Sequence, residues 1–163
     1  MAGQATIAQI NVSGGGVPKK PVPLAVVGEL GIAGDYQADS RSHGGVERAL
    51  CLYAEEVIEA VRAEGHPITP GSAGENITTR GLEWSLVQPG AHFRLGAEVL
   101  IEITRFTTPC KTIRGSFEGG DFNRIHHKLH PGWSRAYARV LEGGVIRPGD
   151  AVELVRAGAL AGP

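Results

Sequence analysis

Residues 101–110, IEITRFTTPC, are the most telling stretch of the chain, because they describe a β-strand that leaves a buried core. Apolar and polar side chains alternate up to Phe106, as expected for a strand with one buried face. Pro109 has no backbone N–H to donate to a neighbouring strand, so the strand should end there. Cys110 is therefore expected where the chain leaves the sheet.

Cys110 has two interpretations at this point. Arg105, Lys111 and Arg114 lie close to it in sequence, and cationic neighbours favour the thiolate, the form that attacks electrophiles or binds metals. Cys110 is therefore a candidate soft metal ligand or sulfur nucleophile. The alternative is a small buried hydrophobic residue, which is the usual role of a free cysteine. These residues alone leave both interpretations open.

Length and charge limit what the chain can be. Its 163 residues fit one domain, predicted over 1–163, with a core of about 5–156 and a tail at 157–163. Sixteen Lys and Arg oppose seventeen Asp and Glu, which predicts no general attraction to nucleic acid or to an anionic membrane. Neither a signal peptide nor a membrane-spanning run is recognisable. With only Cys51 and Cys110 available for disulfides, a cytoplasmic protein is expected.

Short strands separated by glycine-marked turns predict a mainly β, barrel-like fold with a few short helices. The chain has 24 Gly and 10 Pro, yet 42% of its residues are hydrophobic, which argues against disorder. The predicted strands are residues 5–12, 24–27, 49–53, 92–95, 99–106, 137–141, 145–146 and 151–155. The predicted helices are residues 54–64, which have apolar residues at helical spacing, and residues 121–129.

Three loops carry further groups suited to binding. Ser13 opens a glycine run that leads to Lys19, a combination that can bind an anion or simply form a flexible turn. Residues 74–76, Gly-Glu-Asn, offer an acceptor and a mixed donor and acceptor for a ring edge, although such residues are also common in ordinary turns. The remaining loop has polar groups that can bind an anion or a heteroaromatic ring, unless its histidine merely bonds to a backbone carbonyl. Its candidates are Asp35, His43, Gly44, Gly45 and Arg48.

Taken in order, these motifs resemble the MOSC domain, which is named for the C-terminal region of molybdenum cofactor sulfurases. The resemblance covers roughly residues 6–155, and Gly-Val-Pro-Lys at 16–19 is similar to the stand-alone bacterial branch. The motifs that carry it are Gly-Asp at 34–35, His-Gly-Gly at 43–45, Gly-Glu-Asn at 74–76, Thr-Pro-Cys at 108–110, Gly144 and Pro-Gly-Asp at 148–150.

The resemblance implies a β-barrel-like fold and a molybdenum cofactor, a pterin dithiolene with a phosphate tail. Cys110 matches the family cysteine, which ligates molybdenum in some relatives and is thought to carry a persulfide in the sulfurases. Some members reduce N-hydroxylated compounds, including purines. We therefore expect a molybdenum-dependent reductase of a small N-hydroxylated substrate, with electrons from a separate redox protein. The alternatives are a sulfur carrier served by a pyridoxal-phosphate-dependent cysteine desulfurase, and a non-catalytic cofactor-binding module.

The resemblance also assigns roles to the remaining candidates. Glu75 and Asn76 could bind the pterin edges, and His43 could bond to the pterin or order its loop. Ser13, Asp35, Gly44 and Gly45 complete the expected cofactor site. The cations suited to the cofactor phosphate are Lys19, Arg48, Arg105, Lys111 and Arg114.

Other suggestive residues are interpreted as structural. His126 and His130 would share one face of the predicted helix beside His127, but no acidic or cysteine partner stands at a recognisable ligand spacing, so a solvated helix is preferred to a zinc site. Cys51 is interpreted as core packing. No Gly-x-Ser-x-Gly motif supports serine hydrolase chemistry.

Overall fold

A computed structural model describes residues 3–35 and 45–158. Within these residues lie eleven strands and one α-helix, α1 (Glu55–Ala63). The strands are β1 (Thr6–Val12), β2 (Lys20–Val22), β3 (Ala25–Gly28), β4 (Gly31–Ile32), β5 (Leu50–Ala54), β6 (Ile77–Arg80), β7 (His92–Leu95), β8 (Val99–Phe106), β9 (Ala136–Glu142), β10 (Gly144–Ile146) and β11 (Val152–Arg156). Five short 3₁₀ helices are Val46–Arg48, Trp84–Leu86, Lys111–Ser116, Glu118–Gly120 and Phe122–Ile125.

Eight strands form one large sheet in the order β11-β7-β8-β9-β5-β6-β1-β2, and a small second sheet has the order β10-β3-β4. Neighbouring strands are antiparallel except for β5 and β6, which run parallel and are joined by α1. A parallel pair needs such a crossover because a tight turn can only reverse the chain. The long β8 lies near the middle of one half of the sheet, between β7 and β9.

The predicted fold class, mainly β with a few short helices, is confirmed. The large sheet is not closed into a barrel, because its ladder ends at β11 on one side and β2 on the other. The segment just before β11 nevertheless reaches β1: Thr6 forms an isolated bridge with Ala151, and the Ile7 N–H donates to the Asp150 carbonyl over 2.9 Å. The sheet therefore curves strongly without forming a continuous closed ladder.

Two hydrophobic clusters pack against the sheet. The larger contains inward-facing residues of most strands, such as Leu50, Leu52 and Ile101. The smaller lies under α1 and the 3₁₀ helices and includes Tyr53, Ile58 and Ile113. Strand β5 thus separates the two clusters, because side chains alternate between the faces of a strand. Cys51 lies between Leu50 and Leu52 in sequence, so it shares the second face with Tyr53.

The predicted helix over residues 121–129 is wrong. Only the 3₁₀ helix Phe122–Ile125 forms, and His126 is already extended, with φ −75° and ψ 126°. Residues 119 and 120 are glycines with positive φ, and Pro131 follows closely, so the chain has little length for a regular helix. His126 and His127 stack ring on ring instead, 5.0 Å between centroids. Among the residues described, no group of three or more His, Cys, Asp or Glu could hold a metal ion.

No helix within residues 3–35 and 45–158 has the length and apolar character needed to cross a membrane.

Candidate functional site

Asp35 joins two of the predicted binding loops. Its Oδ1 accepts the Ser13 N–H over 3.0 Å and forms a 2.6 Å ion pair with Lys19 Nζ, while its Oδ2 accepts the Asn76 amide over 2.9 Å. The two side chains of the ion pair are only 8% and 4% exposed. We call Ser13, Lys19, Asp35 and Asn76 the Asp35 network. The structure thus brings together four of the candidates for the cofactor site.

Asn76 ties this network to β5. Its N–H donates to the Cys51 carbonyl over 2.8 Å, and its Oδ1 accepts the Cys51 N–H over 3.0 Å. Its Nδ2 donates to Asp35 and, over 3.3 Å, to the Asn11 carbonyl. Both amide N–H groups are therefore engaged by protein atoms in this conformation. The assignment of Asn76 to a pterin edge stays a prediction, which would require one of these bonds to be shared.

Glu75 is fully buried and only half satisfied. Its Oε2 accepts the Gly71 N–H over 3.0 Å and the Thr78 hydroxyl over 2.9 Å, whereas its Oε1 has no hydrogen-bond partner among the described residues. Burial raises the pKa of Glu75 to about 6, against the hydrogen bonds from Gly71 and Thr78 and the charge of Arg135. The carboxyl group therefore changes protonation near neutral pH, with one oxygen open to a donor.

The turn that holds Glu75 depends on Gly71. Its φ is +86°, and an added Cβ would lie 2.3 Å from the Lys19 carbonyl oxygen. The Lys19 N–H in turn donates to the Gly71 carbonyl over 2.9 Å. No residue with a side chain fits this close approach without a backbone shift. Gly71 therefore fixes both the Glu75 carboxylate and the chain around Lys19.

Cys110 stands at the exit of the sheet, as the sequence indicated. It is half-buried, it forms no disulfide, and its carbonyl accepts the Ile113 N–H over 3.1 Å as the 3₁₀ helix Lys111–Ser116 begins. Three residues earlier, Thr107 Oγ1 lies 3.8 Å from the Cys51 sulfur. The segment 107–110 therefore starts beside Cys51 and ends at the partly accessible thiol.

Tyr137 connects Cys110 to the rest of the site. It lies opposite Cys51 in the β5–β9 pairing, and the Arg48 guanidinium is 5.6 Å from its ring centroid. The pKa of Tyr137 is raised to about 12, mainly by burial; Cys51 and Cys110 contribute to the rise, and Arg135 and Arg48 oppose it. These groups are therefore near enough to act on one another electrostatically.

The other predicted cations are placed differently. Arg105 is exposed and faces Glu47, with 3.9 Å between Nη2 and the carboxylate. Lys111 and Arg114 are also exposed, on the 3₁₀ helix after Cys110. Gly45, with φ +85°, precedes the 3₁₀ helix that carries Arg48. His43 and Gly44 lie outside the described residues.

Sequence reasoning missed four polar residues of the site: Asn11, Thr78, Arg135 and Tyr137. Asn11 donates to the Glu75 carbonyl over 3.2 Å and to Thr78 Oγ1 over 3.1 Å. Three of them lie on strands and the fourth directly precedes one, and none of them was assigned a role from the sequence. Asn11 is buried in β1, but the same strand also carries polar Thr6 and Gln9, so no local pattern singles Asn11 out.

The comparisons with known proteins assign the chain to a family. A family model described as "MOSC domain" matches residues 39–153. The chain belongs to the MOSC domain family, the class named for the C-terminal domain of molybdenum cofactor sulfurases.

Similar proteins include an uncharacterized protein, a protein named as a reductase and a protein of known crystal structure. The chain is 32% identical to the uncharacterized protein YflK of Bacillus subtilis over 145 residues, covering 88% of this chain and 64% of YflK. It is 32% identical over 130 residues to a protein of Gibberella moniliformis named "Reductase", covering 77% of this chain and 22% of that protein. The crystal structure of YiiM from Geobacillus stearothermophilus superimposes with a TM-score of 0.71 at 28% identity, covering 93% of this chain and 75% of that one. The chain thus spans less than two thirds of these two curated relatives.

Proposed function

We propose that this chain binds molybdenum cofactor through Cys110 and reduces N-hydroxylated compounds with electrons from a separate protein. The observation that carries the proposal is the half-buried Cys110, which forms no disulfide and follows the strand end of a MOSC domain. The name of the Gibberella relative supports a reductase as the broader class.

The residues present fit such a cofactor. A thiolate is a suitable ligand for a metal that already carries sulfur. Glu75 Oε1, which has no partner among the described residues, is a buried acceptor, and a pterin edge presents N–H donors of the kind that would satisfy it. Arg48 supplies positive charge for a phosphate tail, whereas the charge of Lys19 is already balanced by Asp35. The candidate ligands therefore combine a soft sulfur atom with polar and cationic groups, as the cofactor requires.

Each side chain has a defined task in this proposal. Cys110 would hold the metal through its sulfur, and Glu75 would accept a hydrogen bond from the pterin. Tyr137 keeps its proton at neutral pH, because burial raises its pKa to about 12, so its hydroxyl can donate a hydrogen bond within the site. When bound, the cofactor supplies two electrons, which with two protons convert an N–OH group into N–H and water.

Turnover with an artificial electron donor tests the reductase directly. Purified protein loaded with cofactor should oxidise reduced methyl viologen when an N-hydroxylated purine or an amidoxime is added. Cys110→Ala should lower kcat at least about a hundredfold, whereas Cys51→Ala should keep most of the activity, since Cys51 is buried. Equal activity of the Cys110→Ala variant would refute the assigned role.

A sulfur carrier is the second candidate, because Cys110 is the more exposed of the two thiols and could meet a desulfurase. In that case incubation with a cysteine desulfurase and cysteine should add about 32 Da, one sulfur atom, to Cys110. The adduct should be absent from Cys110→Ala. Formation of this adduct by protein that neither binds metal nor turns over would favour the carrier over the reductase.

A further inference from the structure

Arg135 lies between the two motifs that frame the candidate site. Its Nη1 donates to the Ala73 carbonyl over 2.7 Å, just before the Gly-Glu-Asn turn, and lies 4.0 Å from where a Cβ on Gly74 would stand. Its own carbonyl accepts the Thr107 N–H over 3.0 Å, so its backbone is fixed to the segment that leads to Cys110. The guanidinium is therefore held by the Ala73 carbonyl, and the Arg135 backbone by the segment that leads to Cys110.

Among the residues that the structure describes, this guanidinium is buried without an ion-pair partner. Arg135 is 5% exposed, and no described residue forms a hydrogen bond with its Nε. Within residues 3–35 and 45–158, no carboxylate oxygen lies within 4.0 Å of it. Glu75 is close enough to feel its charge, yet the Glu75 Oε2 bonds to Gly71 and Thr78 instead. A buried cation of this kind is costly unless an anion accompanies it.

The surroundings of Arg135 are electrostatically favourable for such an anion. Burial raises the pKa of Cys51, Tyr53 and Tyr137, and Arg135 lowers the pKa of each of them against that effect. The nearby Lys19 is already paired with Asp35. These thiol and phenol groups stay uncharged near neutral pH and do not compensate the charge of Arg135, whereas the Glu75 carboxylate acts on it from beyond ion-pair distance.

We propose that Arg135 binds a phosphate-class oxyanion between residues 73–76 and residues 107–110. The Nε–H and a terminal N–H of a guanidinium form a planar fork that matches two oxygens of such a group, which a lysine or an amide cannot reproduce. The oxyanion is either a free ion or the phosphate of a larger ligand. The proposal does not depend on reductase activity or on Cys110 as a metal ligand.

Sulfate and inorganic phosphate are the probes for this site. Isothermal titration of the purified chain, at ionic strength matched with chloride, should show one sulfate site for which phosphate competes. Arg135→Gln should weaken sulfate at least about tenfold, because the charge-assisted fork is lost. Arg62→Gln removes an exposed arginine of α1 and should leave the affinity unchanged.

Arg135→Lys provides a second variant if Arg135→Gln fails to fold. It keeps the charge but not the fork, so it should still bind sulfate several-fold more weakly than the native chain. Absence of sulfate binding by the native chain, or native affinity in the Arg135 variants, would overturn the proposal.

The phosphorus and pterin content of protein from a cofactor-producing host separates the two sources of the oxyanion. If Arg135→Lys loses pterin together with sulfate binding, the oxyanion belongs to the larger ligand. If it keeps pterin and loses only sulfate binding, the site takes a free ion.

Discussion

Replacing Glu75 by Gln should remove a pH dependence of stability that the buried carboxyl group creates. Burial raises the pKa of Glu75 from 4.5 to about 6, so the folded chain holds this proton more tightly than the unfolded chain. Between those two values the folded state binds more protons, and stability must fall as pH rises. A difference of about 1.5 pKa units corresponds to about 2 kcal/mol of unfolding free energy.

The assay is urea denaturation of both proteins at a series of pH values from about 4 to 7. The stability of the native chain relative to Glu75→Gln should fall by about 2 kcal/mol across this range and then level off. Subtracting the unfolding free energies of the two proteins cancels the contributions of other carboxylates. Glu55 is an example: its hydrogen bond to Arg80 lowers its pKa, so it makes stability rise with pH. Glu59→Gln, at an exposed position on α1, is the matched control, and its unfolding free energy should vary with pH as that of the native chain does.

The reasoning fails if Glu75→Gln and the native chain show the same pH dependence. That result would mean that Glu75 has the same pKa in the folded and unfolded chain, and that the buried, half-satisfied carboxyl group described above is not present in solution.

Three further predictions concern the same region. Iodoacetamide should label Cys110 and spare Cys51 in the folded chain, since Cys51 is buried and burial raises its pKa; mass spectrometry showing equal labelling would contradict this. Asn76→Ala should lower the free energy of unfolding, measured by urea denaturation, by about 3 kcal/mol, because buried backbone and side-chain groups lose their hydrogen-bond partners. A loss under about 1 kcal/mol would contradict the hydrogen bonds assigned to Asn76. Gly71→Ala should lower Tm clearly more than Gly149→Ala, because both have φ near +90° but only Gly71 would place its Cβ against another backbone; equal losses would argue against the close approach.

Much of the fold follows from the sequence because its strands alternate regularly. Strands His92–Leu95 and Val99–Phe106 begin and end where the pattern predicts, and Glu55–Ala63 falls within the predicted helix. Strands Lys20–Val22 and Gly31–Ile32 were not predicted, because the proline in the first and the glycine in the second indicated turns. Both take their structure from a partner strand rather than from their own sequence.

The site was predictable only in part. Cys110 at a strand exit and the polar Gly-Glu-Asn turn are local signals, and the structure places them as expected. The ion pair of Lys19 with Asp35 joins loops whose proximity depends on the order of strands in the sheet. Arg135 could not be recognised, because its significance lies in burial without a carboxylate partner among the described residues, a property of packing that no local pattern records.

The most direct test of the central claim is the molybdenum and pterin content of the chain purified from a host that makes the cofactor. We predict close to one molybdenum per native chain, loss of the metal in Cys110→Ala, and retention in Cys51→Ala. Equal molybdenum in Cys110→Ala and the native chain, or none in the native chain while a control molybdoenzyme from the same host is loaded, would contradict the account.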